Sequence, residues 1–99
     1  MGLRKQQSKF VLLVAHLILY AHNEGYELTF GDAWAHDGHM DDSLHYSRLA
    51  IDLNLFKDGA YLSDTEDHRF LGEYWESLDP DCGWGGRFND GNHYEMSKP

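Results

Sequence analysis

The chain has 99 residues, of which 41% are hydrophobic, 14% aromatic and 25% charged. This length supports one modest core, so we expect a single domain over residues 1–99. The aromatic share argues against disorder, and one cysteine excludes a disulfide framework and a Cys-rich zinc module. The net charge of −9 disfavours binding to nucleic acids and to anionic membranes.

The N-terminal segment carries basic residues followed by an apolar run from Phe10 to Ala21. A signal peptide has the same order, but the run is too short to cross a bilayer, and His16 interrupts it. Its apolar residues recur at i, i+3, i+4 and i+7, which predicts an amphipathic core helix that ends at Gly25. We favour the core helix over an export signal and expect no stable membrane association.

Hydrophobic alternation and turn residues predict the middle of the chain. Tyr26–Phe30 is predicted as a short strand, and Asp32–Asp42 as a polar surface loop. Leu49–Phe56 alternates apolar and polar residues, which indicates a half-buried strand with one polar face. Lys57–Gly59 is a hairpin turn signal leading into a strand at Ala60–Leu62.

The last third of the chain is predicted as a helix, a loop and a strand. Ser63–Glu66 has the spacing of a capping box, and apolar residues then recur at helical spacing up to Pro80. Gly83–Gly86 is predicted as a tight loop, and His93–Met96 as a final strand. This order of elements favours an α+β domain, a small antiparallel sheet flanked by helices.

Two pairs of residues could bind a metal ion. His45 lies just before the predicted strand that carries Asp52, and Asp90 is separated from His93 by two residues. Catalytic zinc commonly has three protein ligands and a water, and a carboxylate that is not a ligand can act as general base. His45, Asp52 and His93 are therefore candidate ligands and Asp90 a candidate base. The alternative is a set of ordinary surface residues.

The segments around these residues resemble the two motifs of the M15 zinc peptidases, the D-Ala-D-Ala carboxypeptidase and dipeptidase group. Ser43 to Asp52 resembles SxHxxGxAxD, and Trp84 to Glu95 resembles the second motif, with a carboxylate-x-x-His element. The residues of both segments resemble most those of the phage endolysin branch, whose members are L-alanyl-D-glutamate peptidases. The resemblance covers roughly residues 26–95 and implies a fold like that of hedgehog and D-Ala-D-Ala peptidases.

The resemblance implies that His45, Asp52 and His93 hold Zn²⁺ and that Asp90 is the general base for the attacking water. Ser43 matches a motif serine that supports the site or touches substrate. The implied activity is L-Ala-D-Glu endopeptidase cleavage of bacterial peptidoglycan stem peptides. Such a protein is made in the host cytoplasm and acts on the cell wall, and we expect a monomer. Glu95 is predicted to orient a ligand histidine.

The chain departs from the family pattern at two places. Arg48 stands where the motif has glycine, and Ala35 and His36 stand where relatives carry an arginine that helps to bind substrate. Either Arg48, Arg87 or His36 replaces that arginine, or activity is reduced or absent. Two alternatives therefore stay open: a D-Ala-D-Ala carboxypeptidase or dipeptidase, and a non-catalytic zinc module that binds the cell wall.

Other polar or aromatic residues have simpler interpretations. The acidic loop at residues 37–42 is predicted to be solvated rather than a second cation site. His68 is predicted to be exposed, and Cys82 to be an inert thiol rather than a nucleophile. Trp84 either lines the cleft or covers the core.

Overall fold

The computed structural model describes residues 2–31, 44 and 47–98. Over these residues the chain is an α+β domain with a small antiparallel sheet, as the sequence predicts. The elements in chain order are α1 (Leu3–Asn23), β1 (Glu27–Phe30), β2 (Ala50–Lys57), β3 (Ala60–Leu62), a first 3₁₀ turn (Thr65–His68), α2 (Arg69–Leu78), β4 (Cys82–Trp84), a second 3₁₀ turn (Gly85–Phe88) and β5 (His93–Met96).

The sheet has the strand order β1-β2-β5-β4, and β3 pairs with the far end of β2. Each of these pairings is antiparallel. β2 is the central strand, because β1 pairs with one of its edges, and β5 and β3 pair with the first and second halves of the other edge. β2 therefore lies between a strand from the first third of the chain and a strand from its last residues.

Alternation along β2 gives the sheet two different faces. Ile51, Leu53 and Leu55 are buried, whereas Asp52 and Asn54 are half-buried on the other face. Because partners in an antiparallel ladder point to the same side, Tyr94 joins the apolar face through its pairing with Ile51. This confirms the predicted half-buried strand with one polar face.

Both helices pack on the apolar face of the sheet. Phe10 and Leu17 of α1 and Leu71 and Trp75 of α2 belong to the same buried cluster as the apolar residues of β2. The Trp75 ring meets Phe10 edge-on, with ring centroids 5.7 Å apart, and its indole N–H donates to a backbone carbonyl of β5. Helices on one face leave the polar face to carry the candidate site.

The N-terminal apolar run forms the predicted core helix. Phe10, Val14, Leu17 and Ala21 are buried along one side of α1. The chain leaves the helix through Gly25, whose φ of +90° is a left-handed conformation that favours glycine. None of the helices among the described residues is both long enough and apolar enough to cross a bilayer.

The β2–β3 hairpin has the predicted turn. Lys57 pairs with Ala60, and the two turn residues, Asp58 and Gly59, have φ values of +51° and +81°. Two successive left-handed residues match the right-handed twist of a hairpin. The loop predicted at Asp32–Asp42 lies outside the described residues.

Three local predictions were wrong. The segment predicted as the loop Gly83–Gly86 instead contributes the edge strand β4 and part of a 3₁₀ turn. The capping box uses Asp64 and Asp67, one residue beyond the predicted start at Ser63. His68 is 2% exposed rather than solvated, because the 3₁₀ turn directs its ring towards the hydroxyl of Tyr94, 2.8 Å away.

Candidate metal centre

The candidate metal ligands on β2 and β5 are direct neighbours across the sheet. Asp52 and His93 are partners in the antiparallel ladder, on the face opposite to the helices. The Oδ1 atom of Asp52 lies 3.1 Å from Nδ1 of His93. Two residues 41 positions apart in the sequence therefore meet on rigid backbone, which is how well-defined sites are built.

The second ring nitrogen of His93 is also bound. Its Nε2 atom lies 2.7 Å from Oε1 of Glu95, the next residue on the same face of β5. A histidine that presents one nitrogen to a metal ion usually donates its other N–H to a carboxylate or a carbonyl. The contact with Glu95 is of this kind, and the orienting role of Glu95 towards a metal ion stays a prediction.

The charge on the imidazole is fixed by these neighbours. Burial disfavours the protonated ring, but the hydrogen bonds to Asp52 and Glu95 outweigh burial and raise the pKa of His93 to about 9. In the absence of a metal ion both ring nitrogens therefore donate hydrogen bonds to carboxylates at neutral pH. The side chains of all three residues are between 12% and 27% exposed.

The donor atoms fit a zinc ion in type and spacing. Zinc in proteins takes imidazole nitrogen and carboxylate oxygen, and two donors about 2.1 Å from a tetrahedral centre lie about 3.4 Å apart. The contact of 3.1 Å between Nδ1 and Oδ1 is close to that separation. His45, the third predicted ligand, and Ser43 lie outside the described residues. Within residues 2–31, 44 and 47–98, no three His, Cys, Asp or Glu side chains form a metal-binding group.

Asp90 lies in the turn that leads into β5. Its backbone N–H donates to the carbonyl of Gly85, and its own carbonyl accepts from the N–H of His93 at 3.2 Å. The residue is exposed. The turn thus fixes the candidate base to the same short segment as His93.

Gly85 permits this turn. A Cβ atom on Gly85 would lie 2.3 Å from the carbonyl oxygen of Asp90 and 2.7 Å from Cβ of His93. The chain packs too closely here for any side chain. Sequence reasoning missed this contribution, although the Gly-rich segment at 83–86 was the available signal.

The two candidate arginines have different surroundings. Arg87 forms an ion pair with Glu76 of α2, with 2.6 Å between Nη2 and Oε1, and its guanidinium lies over the Trp84 ring. Arg48 has a φ of +57°, the left-handed conformation that favours glycine. The structure therefore gives a backbone reason for a glycine at this place in the motif that the chain resembles. Ala35 and His36 lie outside the described residues.

The predictions for Trp84 and Cys82 concern the core beneath the site. Trp84 is 1% exposed, and its indole N–H donates to the carbonyl of Gly91 at 2.7 Å. It therefore covers the core rather than lining a cleft, and it fastens the turn that holds Asp90. Burial raises the pKa of Cys82 to about 12, so its thiol is inert, as predicted.

Comparison with known proteins adds no family to this picture. No protein-family model matches the chain, and a search of curated proteins found no significant match. The motif residues and the geometry around His93 are therefore the features that point to a function.

Proposed function

We propose that the protein is a zinc peptidase that cleaves the stem peptides of bacterial peptidoglycan. The observation that carries the proposal is the position of His93 between the carboxylates of Asp52 and Glu95. The two carboxylates have different roles in this proposal. Asp52 lies at Nδ1, on the metal-binding side of the ring, and Glu95 at Nε2 fixes the orientation of the ring. The resemblance of both surrounding segments to the M15 motifs supplies the reaction class.

The ligands of the proposed zinc ion are His45, Asp52 and His93. A zinc ion bound there would polarise the scissile carbonyl and lower the pKa of a bound water. Asp90 accepts the proton of the attacking water and transfers it to the leaving amine. Glu95 holds Nε2 of His93, so that Nδ1 stays directed at the side of Asp52.

The preferred scissile bond is that between L-Ala and D-Glu, because the motif segments resemble the phage endolysin branch. Cleavage of a terminal D-Ala-D-Ala bond is the alternative within the same mechanism. In either case we propose that the protein is made in the host cytoplasm and acts on the cell wall.

A non-catalytic zinc module that binds the cell wall is the second candidate. One observation favours it: the guanidinium of Arg87 is held by Glu76 and stacked on Trp84. Arg87 is therefore engaged elsewhere, which makes it a poor replacement for the arginine that relatives carry at the position of Ala35 or His36. This candidate predicts zinc binding and cell-wall binding without turnover.

Mass spectrometry of digested peptidoglycan tests the proposal. Purified peptidoglycan is incubated with the zinc-loaded protein, and a chelator-treated sample serves as the control. We expect new peptide ends that the chelator suppresses, and the fragment masses distinguish L-Ala-D-Glu from D-Ala-D-Ala cleavage. If zinc is bound and no fragments form, the result rejects the peptidase and supports the non-catalytic zinc module.

A further inference from the structure

The face of the sheet that carries Asp52 and His93 also carries two aromatic side chains near its other end. Phe56 and Tyr61 are partners in the ladder between β2 and β3, and their ring centroids are 5.2 Å apart. Phe56 follows Asp52 by four residues on β2, so alternation places both side chains on the same face. Tyr61 is 55% exposed, and Phe56 is half-buried. We call Phe56 and Tyr61 the aromatic pair.

The strand register fixes the spacing between the aromatic pair and the candidate metal centre. Four residues of an extended strand span about 13 Å, which is the separation of Phe56 from Asp52 along β2. Asn54 and Thr29, themselves ladder partners, lie between them, and the amide of Asn54 donates to the Thr29 hydroxyl at 3.3 Å. This contact uses one of the two N–H groups of the amide, so Asn54 also offers a donor and a carbonyl acceptor to a ligand.

An exposed aromatic ring beside polar side chains has the chemistry of a sugar-binding surface. A pyranose ring presents C–H groups on its face and hydroxyl groups at its edge, so its face packs on an aromatic ring while the hydroxyls stay hydrated. Tyrosine suits this contact because it combines an apolar ring with a polar tip. A cross-strand aromatic pair also stabilises a hairpin, but that role does not require the exposure of Tyr61.

The spacing along β2 matches the distance between a sugar and one particular peptide bond of peptidoglycan. The lactyl group of N-acetylmuramic acid is joined to L-Ala by an amide bond. One residue and the lactyl group therefore separate the sugar from the L-Ala-D-Glu carbonyl, which puts the ring centre about 10 Å away when the chain is extended. The D-Ala-D-Ala carbonyl is three residues further along, about 20 Å from the same ring. The spacing of about 13 Å on β2 is closer to the first distance.

We propose that Phe56 and Tyr61 bind the N-acetylmuramic acid ring of a substrate whose L-Ala-D-Glu bond lies at the metal centre. The amide between the lactyl group and L-Ala then crosses Asn54. This inference rests on the proposed peptidase function and adds the glycan to its substrate. The protein therefore prefers stem peptides that are still attached to the glycan, and the aromatic pair selects the L-Ala-D-Glu bond.

An NMR titration tests the sugar site without turnover. The ¹⁵N-labelled full chain is titrated with the disaccharide of N-acetylglucosamine and N-acetylmuramic acid. We expect saturable shifts of the backbone amides of residues 54–61. Tyr61→Ala should raise the dissociation constant about fivefold to tenfold, whereas Tyr61→Phe keeps the ring and the affinity. Phe30→Ala is the matched control, because Phe30 is 69% exposed and pairs with Leu53 on the opposite face of the sheet.

Cleavage of two substrates tests the contribution of the aromatic pair to specificity. One substrate is the disaccharide carrying a tetrapeptide stem, and the other is the same tetrapeptide without the sugar. Tyr61→Ala should lower kcat/KM about fivefold to tenfold for the first substrate. It should leave kcat/KM for the second unchanged, because a free peptide does not reach the aromatic pair. The unchanged value also shows that the variant is folded.

Three results would overturn the sugar site. The first is a titration in which residues 54–61 do not shift or Tyr61→Ala binds as the parent does. The second is an equal loss of kcat/KM for both substrates, which would give Tyr61 a role in the fold alone. The third is release of terminal D-Ala, which the spacing does not fit. An inactive protein that still binds the disaccharide through Tyr61 would reject the peptidase and support the sugar site.

Discussion

Asp52 and His93 are direct partners in the antiparallel ladder between β2 and β5, and their Oδ1 and Nδ1 atoms are 3.1 Å apart. The pairing places both side chains on the face of the sheet that the helices leave to polar residues. Because neither side chain depends on a loop for its position, the geometry of this pair follows directly from strand register. The register is in turn fixed by the burial of Ile51 and Leu53 on the opposite face.

Asp90→Asn should retain zinc and lose peptidoglycan cleavage. The amide has nearly the shape of the carboxylate but cannot accept the proton of the attacking water, so the rate should fall by about 10²–10⁴-fold. Asp58→Asn is the matched control at the exposed hairpin tip, where Asn-Gly is a favourable turn. Zinc content and fragment release are measured for both variants. Full activity of Asp90→Asn would remove Asp90 from the mechanism.

Glu95→Ala should weaken zinc binding by about 10–100-fold, the usual effect of losing a carboxylate that orients a ligand histidine. The loss frees Nε2 of His93 and allows its ring to rotate away from Asp52. Competition with a chromogenic chelator gives the affinities. Glu27→Ala, an exposed residue on the edge strand β1, should bind zinc as the parent does. Equal affinities for the two variants would show that Glu95 has no part in holding the metal ion.

Gly85→Ala should destabilise the fold, because its Cβ would overlap the carbonyl oxygen of Asp90 at 2.3 Å. Backbone atoms cannot move aside as a flexible side chain can, so we expect a loss of about 1–3 kcal/mol in the free energy of unfolding. Gly83→Ala is the control, since its Cβ would meet Glu95 at an ordinary 3.7 Å. Urea denaturation measures both. Similar stabilities for the two variants would contradict the close packing at Gly85.

Arg48→Gly should be more stable than Arg48→Ala. Both variants lose the arginine side chain, but only glycine adopts the φ of +57° without strain. The difference in unfolding free energy should be about 1 kcal/mol in favour of glycine. Thermal and urea denaturation of the two variants measure it. An alanine variant of equal or greater stability would mean that the left-handed conformation at Arg48 carries no cost.

His68 should make the protein less stable as the pH falls below about 6.5. Burial lowers the pKa of His68 in the folded chain, so the unfolded chain binds more protons between that lowered pKa and the ordinary value of 6.5. The contribution of the neutral His68 ring to stability is complete above pH 6.5. It is lost as the pH falls through the pKa of His68 in the folded chain. Urea denaturation at several pH values should show a shallower decline for His68→Gln than for the parent chain.

The control for this pH effect is Asn23→Ala, at an exposed position of α1 that carries no titratable group. This variant should keep the pH dependence of stability of the parent chain. If His68→Gln kept the full acid sensitivity of the parent, the decline would have to come from groups other than His68.

Hydrophobic periodicity was sufficient to predict those elements that bury one of their sides and expose the other. The helical spacing of Phe10 and Leu17, and the alternation around Asp52, predicted α1 and β2 because burial repeats with the period of the backbone. It failed at Gly83, where β4 is too short to show alternation, and at His68, whose burial depends on a 3₁₀ turn packing beside Tyr94. Short elements carry too few residues to reveal a period, so their neighbours decide their conformation.

The sequence by itself determined the α+β class, the main helices and central strand, and the residue types that suit a metal ion, because these depend on local pattern and side-chain chemistry. Only the tertiary structure decided which of those residues meet. The pairing of Asp52 with His93 and the contact of Glu95 with Nε2 arise from strand register between distant segments. The burial of His68 was likewise decided by the fold, because it depends on the contact of its ring with Tyr94, 26 residues further along the chain.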